Sequence, residues 1–595
     1  MPGIVGIVTK QPRPIAERQL ASMVEAMRHE PFYKCGTWSD EAIGVYVGWA
    51  LHGTAGEQQM PLRNASGEIA LVFSGEDFSR ETPTGNLGYL VQTYEDDARF
   101  PANLNGRFHG LLVDQKRGFA KLFNDRWGLQ RIYYHETKDA FYFAAEAKSI
   151  LAVCPECRSF DSRGLGEFIS TGCVLENRSF FTGVGVLPPA SAWHFANGTV
   201  QTRGHYFLPS EWEQQSTLDP EAYYQQLREV FVGNLPRYFG GKDRVGLSLT
   251  GGLDTRMIMA WHPGEPGTLP SYSFGGMFRE SQDVSLGRAV ATVCKQPHQV
   301  IPIGEDFLAR FAHYAERTIY LSDGSIGMPF SPDLYANEIA RNIAPVRMTG
   351  NYGGEVLRQV RAFKPEDPMP GLFCPEMTAH LDQAKSTYAG LLQGHPLSFA
   401  VFKQAPWHHY GLLALEQTQI TLRSPFLDND FVRTVFQAPQ SSCESNDVSM
   451  RLIREGSKTL YELPTDRGLV GNQSDWATRL SHEWLEFSFK AEYGYDYGMP
   501  QWVAGIDNRI RALRPERAWL GRHKFKHFRV WYRDQLAGYV RDMLLDSRTL
   551  SRPFFERKGI EAIVRGHLGG GRNYTTEIHR VLALELISRS LIDGD

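Results

Sequence analysis

Cysteine is scarce in this chain of 595 residues. There are seven, scattered and odd in number, which does not make a disulfide scaffold. Cys154 and Cys157 in CPEC have the spacing of a redox pair or half a zinc site. No second pair and no His-x-x-x-His tail supplies four ligands, so they are read as ordinary thiols in a loop. No run of ~18 uninterrupted apolar residues occurs, and no membrane span is expected. The opening MPGIVGIVTKQPRP lacks the basic flank and long apolar stretch of a secretory signal, and a reduced, cytoplasmic protein is the expectation. Neither sign of charge prevails, with 63 Lys+Arg against 67 Asp+Glu and a net charge of −4. That balance argues against nucleic acid or an anionic membrane as a partner gripped over the whole surface. Internal repeats and low-complexity tracts are missing as well.

The composition is that of an ordinary globular chain, 42% hydrophobic and 22% charged, and its length buries a core without metal or disulfide staples. Up to about residue 205 the chain reads as strands: IVGIV, AIGVYVGWAL, EIALVF, GRFHGLLVD, FAKLFN and AFYFAAE. These are short β-branched and aromatic runs punctuated by Gly, Asn and Asp, with helical stretches such as RQLASMVEAMRH between them. The Pro- and turn-rich passage VLPPASAWHFANGTVQTRGHYFLPSEWEQ closes this part and leads into the helix-like EAYYQQLREVFVGNL. A boundary near 208–220 follows, with units over 1–208 and 215–595. Beyond it DRVGLSLT, SYSFG, HQVIPI and PVRMTG alternate with longer amphipathic segments, the pattern of a parallel sheet with crossover helices. From about residue 375 the periodicity is mostly helical.

The segment VGLSLTGGLDTRMIMAW, residues 245–261, carries the chemistry. A buried strand runs into Thr250-Gly251-Gly252-Leu253-Asp254-Thr255, and a helix follows. Paired glycines let backbone N–H groups converge on one point, and the helix adds its positive N-terminal end, so the turn suits phosphate or pyrophosphate. Thr250 and Thr255 add hydroxyls. Asp254 repels phosphate unless a cation lies between, which makes it a magnesium ligand in this reading. A plain Gly-Gly turn with Asp254 as a helix cap reads the same residues without chemistry. The G-x-x-x-x-G-K-[ST] arrangement of a kinase-type loop is absent.

The loop resembles the S-G-G-x-D-S loop of ATP pyrophosphatases, with Thr at both hydroxyl positions. Three further blocks narrow the resemblance to the asparagine synthetase family: TLRSPFLDNDFV at 421–432, the tail HLGGGRNYTTEIHRVLALELIS, and front-part strings GIVGIV, LNGRFHGLLVD, NDRWGLQRIYY and AAEAKSI. The resemblance implies an Ntn-type α-β-β-α sandwich followed by a doubly wound parallel α/β ATP pyrophosphatase domain with a helical extension. It implies ATP and Mg²⁺ and an AMP-forming ligase that adenylates a small-molecule or peptide carboxylate and passes it to ammonia or an amine. The implied nucleotide site takes in Leu247, Ser273, Phe274 and Gly350 beside the loop, and a homodimer is a further expectation. Asparagine synthesis proper from aspartate with external ammonia, or a non-catalytic nucleotide-binding relative, are the alternatives; a tRNA-modifying pyrophosphatase shares only the loop.

The departures are specific. Members that hydrolyse glutamine begin Met-Cys-Gly, and here the sequence reads Met1-Pro2-Gly3; proline has no thiol to form a glutamyl thioester. The N-G-E block is Ser74-Gly75-Glu76 and the R-G-P-D block is Arg28-His29-Glu30-Pro31, and nothing puts Cys35 at the missing nucleophile's position. A fold kept without glutaminase chemistry is expected. The second metal block reads Thr349-Gly350-Asn351-Tyr352-Gly353-Gly354-Glu355. Glu355 is its one carboxylate, hence the second magnesium ligand in this reading, and resemblance to the β-lactam-forming relatives implies that Tyr352 helps deprotonate the incoming amine. Asp283 is either the family's acidic residue opening a helix or an N-cap. His298 is read as packing, Arg423 as an anchor of the RSPFLD turn, and Arg467 as the cation that stabilises the α-phosphate.

Overall fold

The computed structural model describes residues 1–53, 59–80, 87–468, 476–510 and 513–594. Its front part holds two six-stranded antiparallel sheets. In the first, Gly3–Thr9 lies between Ala140–Ala144 and Val45–His52. In the second, Gly106–Asp114 lies between Ile69–Asp77 and Phe119–Asn124. Side chains alternate along a strand, so each sheet offers two faces. Ile4, Val8, Val45 and Val47 from one sheet meet Val72, Leu111, Val113 and Leu122 from the other. The helix Arg13–Glu25 covers the first sheet's outer face through Leu20 and Met23. The helix Tyr89–Asp96 covers the second through Leu90, Val91 and Tyr94. The layers are therefore α-β-β-α.

The sequence reading missed six of these twelve strands, three of them instructive. Tyr33–Asp40 is a strand at one edge of the first sheet, too exposed to carry apolar alternation. Within the passage read as turns, Ser191–Ala196 and Thr199–His205 form a hairpin with Ala196 opposite Thr199. Its two-residue loop is Asn197-Gly198, both at positive φ, 51° and 68°, the I′ geometry that Asn-Gly favours.

Asp219 caps the helix Pro220–Phe239, which leads into the second part. Five parallel strands make its sheet: β1 (Val245–Ser248), β2 (Ser271–Gly275), β3 (His298–Pro302), β4 (Val346–Met348) and β5 (Thr421–Arg423), in the order β3-β2-β1-β4-β5. The fifth strand, three residues long, was not foreseen. Helices Leu253–Ala260 and Gln282–Val293 make the crossovers from β1 to β2 and from β2 to β3. Chain order reverses between β1 and β4, and ligands of open α/β sheets bind at the carboxyl ends of strands at such a switch. Helices dominate after residue 375; the last α-helix, Thr575–Ile587, is buried over most of its length.

The two parts meet at a polar hub. Asp428 Oδ2 accepts from Asn105 Nδ2 at 2.7 Å and Tyr238 Oη at 3.0 Å, and its Oδ1 accepts from Asn234 Nδ2 at 2.9 Å. Beside it, Arg423 is held in the bidentate manner by Glu76 and donates to the carbonyls of Tyr238 and Gly240. Among the described residues no helix is long and apolar enough to cross a membrane.

Candidate functional site

Parallel pairing of β1 with β4 sets Val245 beside Val346 and Leu247 beside Met348, so the loops leaving these strands are neighbours. This is why blocks a hundred residues apart share one cleft of about 320 Å³, lined by Thr250, Gly252, Asp254, Thr255, Gly350, Asn351, Tyr352, Glu355 and His409 among others. Contact is close. A Cβ on Gly353 would lie 2.5 Å from Asp254 Cγ, and one on Gly350 would lie 2.9 Å from Asp254 Cβ, so glycine is required at both. Tyr352, between them, sits at φ 73°, a conformation that costs a non-glycine residue energy and often marks functional sites. It ends the loop and starts the helix Gly353–Arg358, whose first turn carries Glu355.

Two buried oxygen atoms at this cleft have no hydrogen-bond partner, Asp254 Oδ1 and Thr255 Oγ1. Burial, with Glu355 nearby adding to it, pushes the Asp254 carboxyl up to about 6 despite the opposing charge of Arg358, whose Nη2 stands 4.0 Å away. Burial also acts to raise Glu355, but the hydrogen bond and charge of His409 outweigh it and hold this carboxyl below its ordinary value; His409 Nε2 and Glu355 Oε1 are 3.3 Å apart. Burial pushes the Tyr352 hydroxyl well above its usual range. Its ring meets that of His409 edge-on at 5.7 Å.

Asp283 is not the N-cap: Ser281 caps Gln282–Val293 by accepting from Val284 N. The Asp283 carboxylate instead accepts from Gly251 N at 2.8 Å and is pushed up to about 6 by burial. Arg256 steadies the same turn from inside, donating to the carbonyls of Gly251, Leu463 and Pro464.

Of the residues singled out from the sequence, Thr250, Gly252, Asp254, Thr255, Gly350, Tyr352 and Glu355 are brought together. Gly251 faces Asp283 and Asp466. The Leu247 side chain is in the core, the Ser273 hydroxyl donates to Leu249 O at 2.6 Å, and Phe274 packs on Phe525. Arg467 is paired with Glu486 at 2.7 Å and stands over the Phe489 ring at 3.4 Å; it does not line the cleft. Sequence reasoning missed Arg358 and His409. Arg358 follows Glu355 by three residues on one short helix, a readable signal. His409 ends the wide-turned helix Ala400–His409, which contains Pro406, and nothing local marks it.

The cleft suits magnesium. Two carboxylates and a hydroxyl are hard oxygen donors, two of their atoms lack partners, and magnesium typically takes one or two carboxylates with phosphate and water completing its shell. Among the described residues, the one close group of three metal-competent side chains lies elsewhere: His135, Glu156 and Cys157 on the front part. The CPEC thiols are both buried, and burial raises their pKa values.

In the front part, Gly75 is required because a Cβ would lie 2.1 Å from Arg107 O, and Glu76 is committed to Arg423. His29 Nε2 lies 2.7 Å from Glu146 Oε2, and Glu30 accepts from Arg317 and Gln419.

Residues 88–207 match the glutamine amidotransferase domain family. The chain is 25% identical over 227 residues to asparagine synthetase [glutamine-hydrolyzing] 2 of Bacillus subtilis strain 168, covering 34% of this chain and 30% of that protein. It is 23% identical over 214 residues to a probable asparagine synthetase [glutamine-hydrolyzing] of Schizosaccharomyces pombe, 33% of each. A second Bacillus subtilis asparagine synthetase is 21% identical over 318 residues, 50% of this chain and 47% of that one. The matched stretches thus span a third to a half of these relatives. The solved glutamine phosphoribosylpyrophosphate amidotransferase of Bacillus subtilis superposes over 50% of this chain and 65% of its own, at 11% identity and a TM-score of 0.25, which carries no weight here.

Proposed function

Taking the chain as asparagine synthetase-like, we propose that it is an AMP-forming carbon–nitrogen ligase that uses ATP and Mg²⁺ and does not hydrolyse glutamine itself. The observation that carries this reading is the one cleft in which the 250–255 turn and the 349–355 block meet around Asp254 Oδ1 and Thr255 Oγ1, neither with a hydrogen-bond partner.

In the proposed reaction a carboxylate oxygen of the substrate bonds to the α-phosphorus of ATP and the bond to the bridging oxygen breaks, releasing pyrophosphate. An amine nitrogen then bonds to the acyl carbon, AMP departs with its oxygen, and the nitrogen loses a proton. Thr250, Gly252 and Thr255 bind the departing pyrophosphate through hydroxyl and backbone donors. Asp254 and Glu355 would hold magnesium, which supplies charge neutralisation at the phosphates. Arg358 is the guanidinium nearest Asp254 and adds fixed positive charge. His409, oriented by Glu355, accepts the amine proton; the neighbouring Tyr352, its hydroxyl pushed up by burial, shapes the pocket more than it acts as a base.

The absence of a thiol at Pro2 and the commitment of Glu76 to Arg423 support a front part that keeps the amidotransferase fold without its chemistry. Nitrogen then comes as ammonia or as an amine on a substrate. Calorimetry with ATP and magnesium tests the reading: binding is expected in the intact protein and lost in Asp254→Ala. An intact protein that binds no ATP overturns it.

A further inference from the structure

A second cavity, about 780 Å³, opens beside the nucleotide cleft, and His409 and Leu412 line both. All parts of the fold build it. The C-terminal end of the front-part helix Ser162–Thr171 supplies Phe168, the loop after Gly353–Arg358 supplies Phe363, and the last helix supplies His579 and Arg580. A cavity of this size accommodates a drug-sized ligand; a four-carbon dicarboxylate would leave most of it to water.

The walls carry a definite chemistry. Phe168, Phe330, Phe363, Tyr388, Leu392 and Leu412 give an apolar and largely aromatic surface. His408 stacks flat on Phe363, with centroids 5.0 Å apart and planes 5° from parallel. Besides His409 Nε2, which faces Glu355 at 3.3 Å, two ring nitrogens of residues lining the cavity, His408 Nδ1 and His579 Nε2, are buried without a hydrogen-bond partner. His579 is fixed by its other nitrogen, 2.8 Å from the Tyr532 hydroxyl. Three cations, Arg361, Lys364 and Arg580, line it against one acid, Glu366. Glu366 is 3.4 Å from Arg580, while Arg361 and Lys364 are exposed and have no ion pair among the described residues.

Resting on the ligase reading above, we infer that the acid activated by this protein is a large apolar one, of aryl or short-peptide bulk. Its reacting carboxylate meets the nucleotide at His409, its aromatic body fills the larger cavity, and a second negative group lies against Arg361 and Lys364. The front part, having lost the groups for glutamine, serves as one wall of this acid site. Aspartate fits neither the volume nor the aromatic lining.

The test uses full-length protein with ATP and magnesium and two probes, N-benzoyl-aspartyl-phenylalanine and aspartate. ATP binding is measured first by calorimetry, since its absence overturns the nucleotide reading and with it the acid's role as the group adenylated. With ATP binding intact, the aryl dipeptide is expected to bind at least tenfold tighter than aspartate. The double variant Arg361→Glu/Lys364→Glu, on exposed positions that leave folding and ATP binding intact, is expected to weaken it at least tenfold. The uncharged-end control, the same dipeptide as its C-terminal amide, is expected to lose most of that sensitivity. Equal or tighter binding of aspartate, no binding of the dipeptide, or indifference to the charge reversal overturns the inference while the nucleotide site stands.

Discussion

Asn105 donates to Asp428 at 2.7 Å across 323 residues of chain. The contact joins LNG of the front part to SPFLD of the second, two of the blocks on which the family resemblance rests. Burial raises the Asp428 carboxyl above its ordinary value, against the hydrogen bonds from Asn105, Phe431 N and Tyr238.

Asp428→Ala strands those donors in a dry interface. Each unsatisfied buried group costs about 1–3 kcal/mol, so a loss of roughly 3 kcal/mol or more is expected, seen as a lower urea midpoint with the two parts unfolding separately. An unchanged midpoint would mean that the hub does not hold them together.

Thr255→Val removes the partnerless hydroxyl and keeps the shape. The folded protein loses no hydrogen bond there, so the melting temperature should hold. The ATP dissociation constant should rise about tenfold, the effect of one hydrogen bond to a charged acceptor. Unaltered affinity would exclude Thr255 from the anion site.

Arg358 and Arg467 are separable. Arg358→Ala is expected to raise the ATP dissociation constant about tenfold through loss of fixed charge near the phosphates. Arg467→Ala, taken from a residue outside the cleft, should change it less than threefold. The reverse ranking would restore Arg467 to the role expected from the sequence.

His109 provides a pH test. Its Nε2 accepts from Ile4 N at 3.2 Å, so Nδ1 carries the proton and faces Gln130 O at 3.2 Å. Burial lowers its pKa from 6.5 to about 4. The unfolded chain therefore binds this proton first as pH falls. Stability is fully present above 6.5 and declines between 6.5 and about 4, by about 1.4 kcal/mol for each pH unit. Urea midpoints at pH 7 and pH 5 should converge in His109→Gln relative to the unaltered chain; parallel shifts would assign the acid sensitivity to other groups.

Six front-part strands and the first four parallel strands were legible because each is an apolar run bounded by turn residues. Tyr33–Asp40 was not, since an edge strand with exposed side chains has little apolar alternation to show. The Ser191–Ala196 hairpin was missed although Asn197-Gly198 marks it, its signal lying inside a passage rich in proline. Thr421–Arg423 is too short to have a period; only β4 beside it makes it a strand.

The sequence by itself determined that the 250–255 turn offers paired glycines, two hydroxyls and a carboxylate and that residue 2 is a proline, because these are properties of residue type and local spacing. It also determined which runs could be strands. Only the tertiary structure decided that Asp254 and Glu355 share a cleft, that Arg358 rather than Arg467 stands beside Asp254, and that Asp283 holds Gly251. Only the structure, too, opened the Asp254 cleft onto an aromatic cavity at His409. Those are relations across a parallel sheet and between its loops, set by which strands pair and which faces are buried, and no local stretch of sequence encodes its own neighbours.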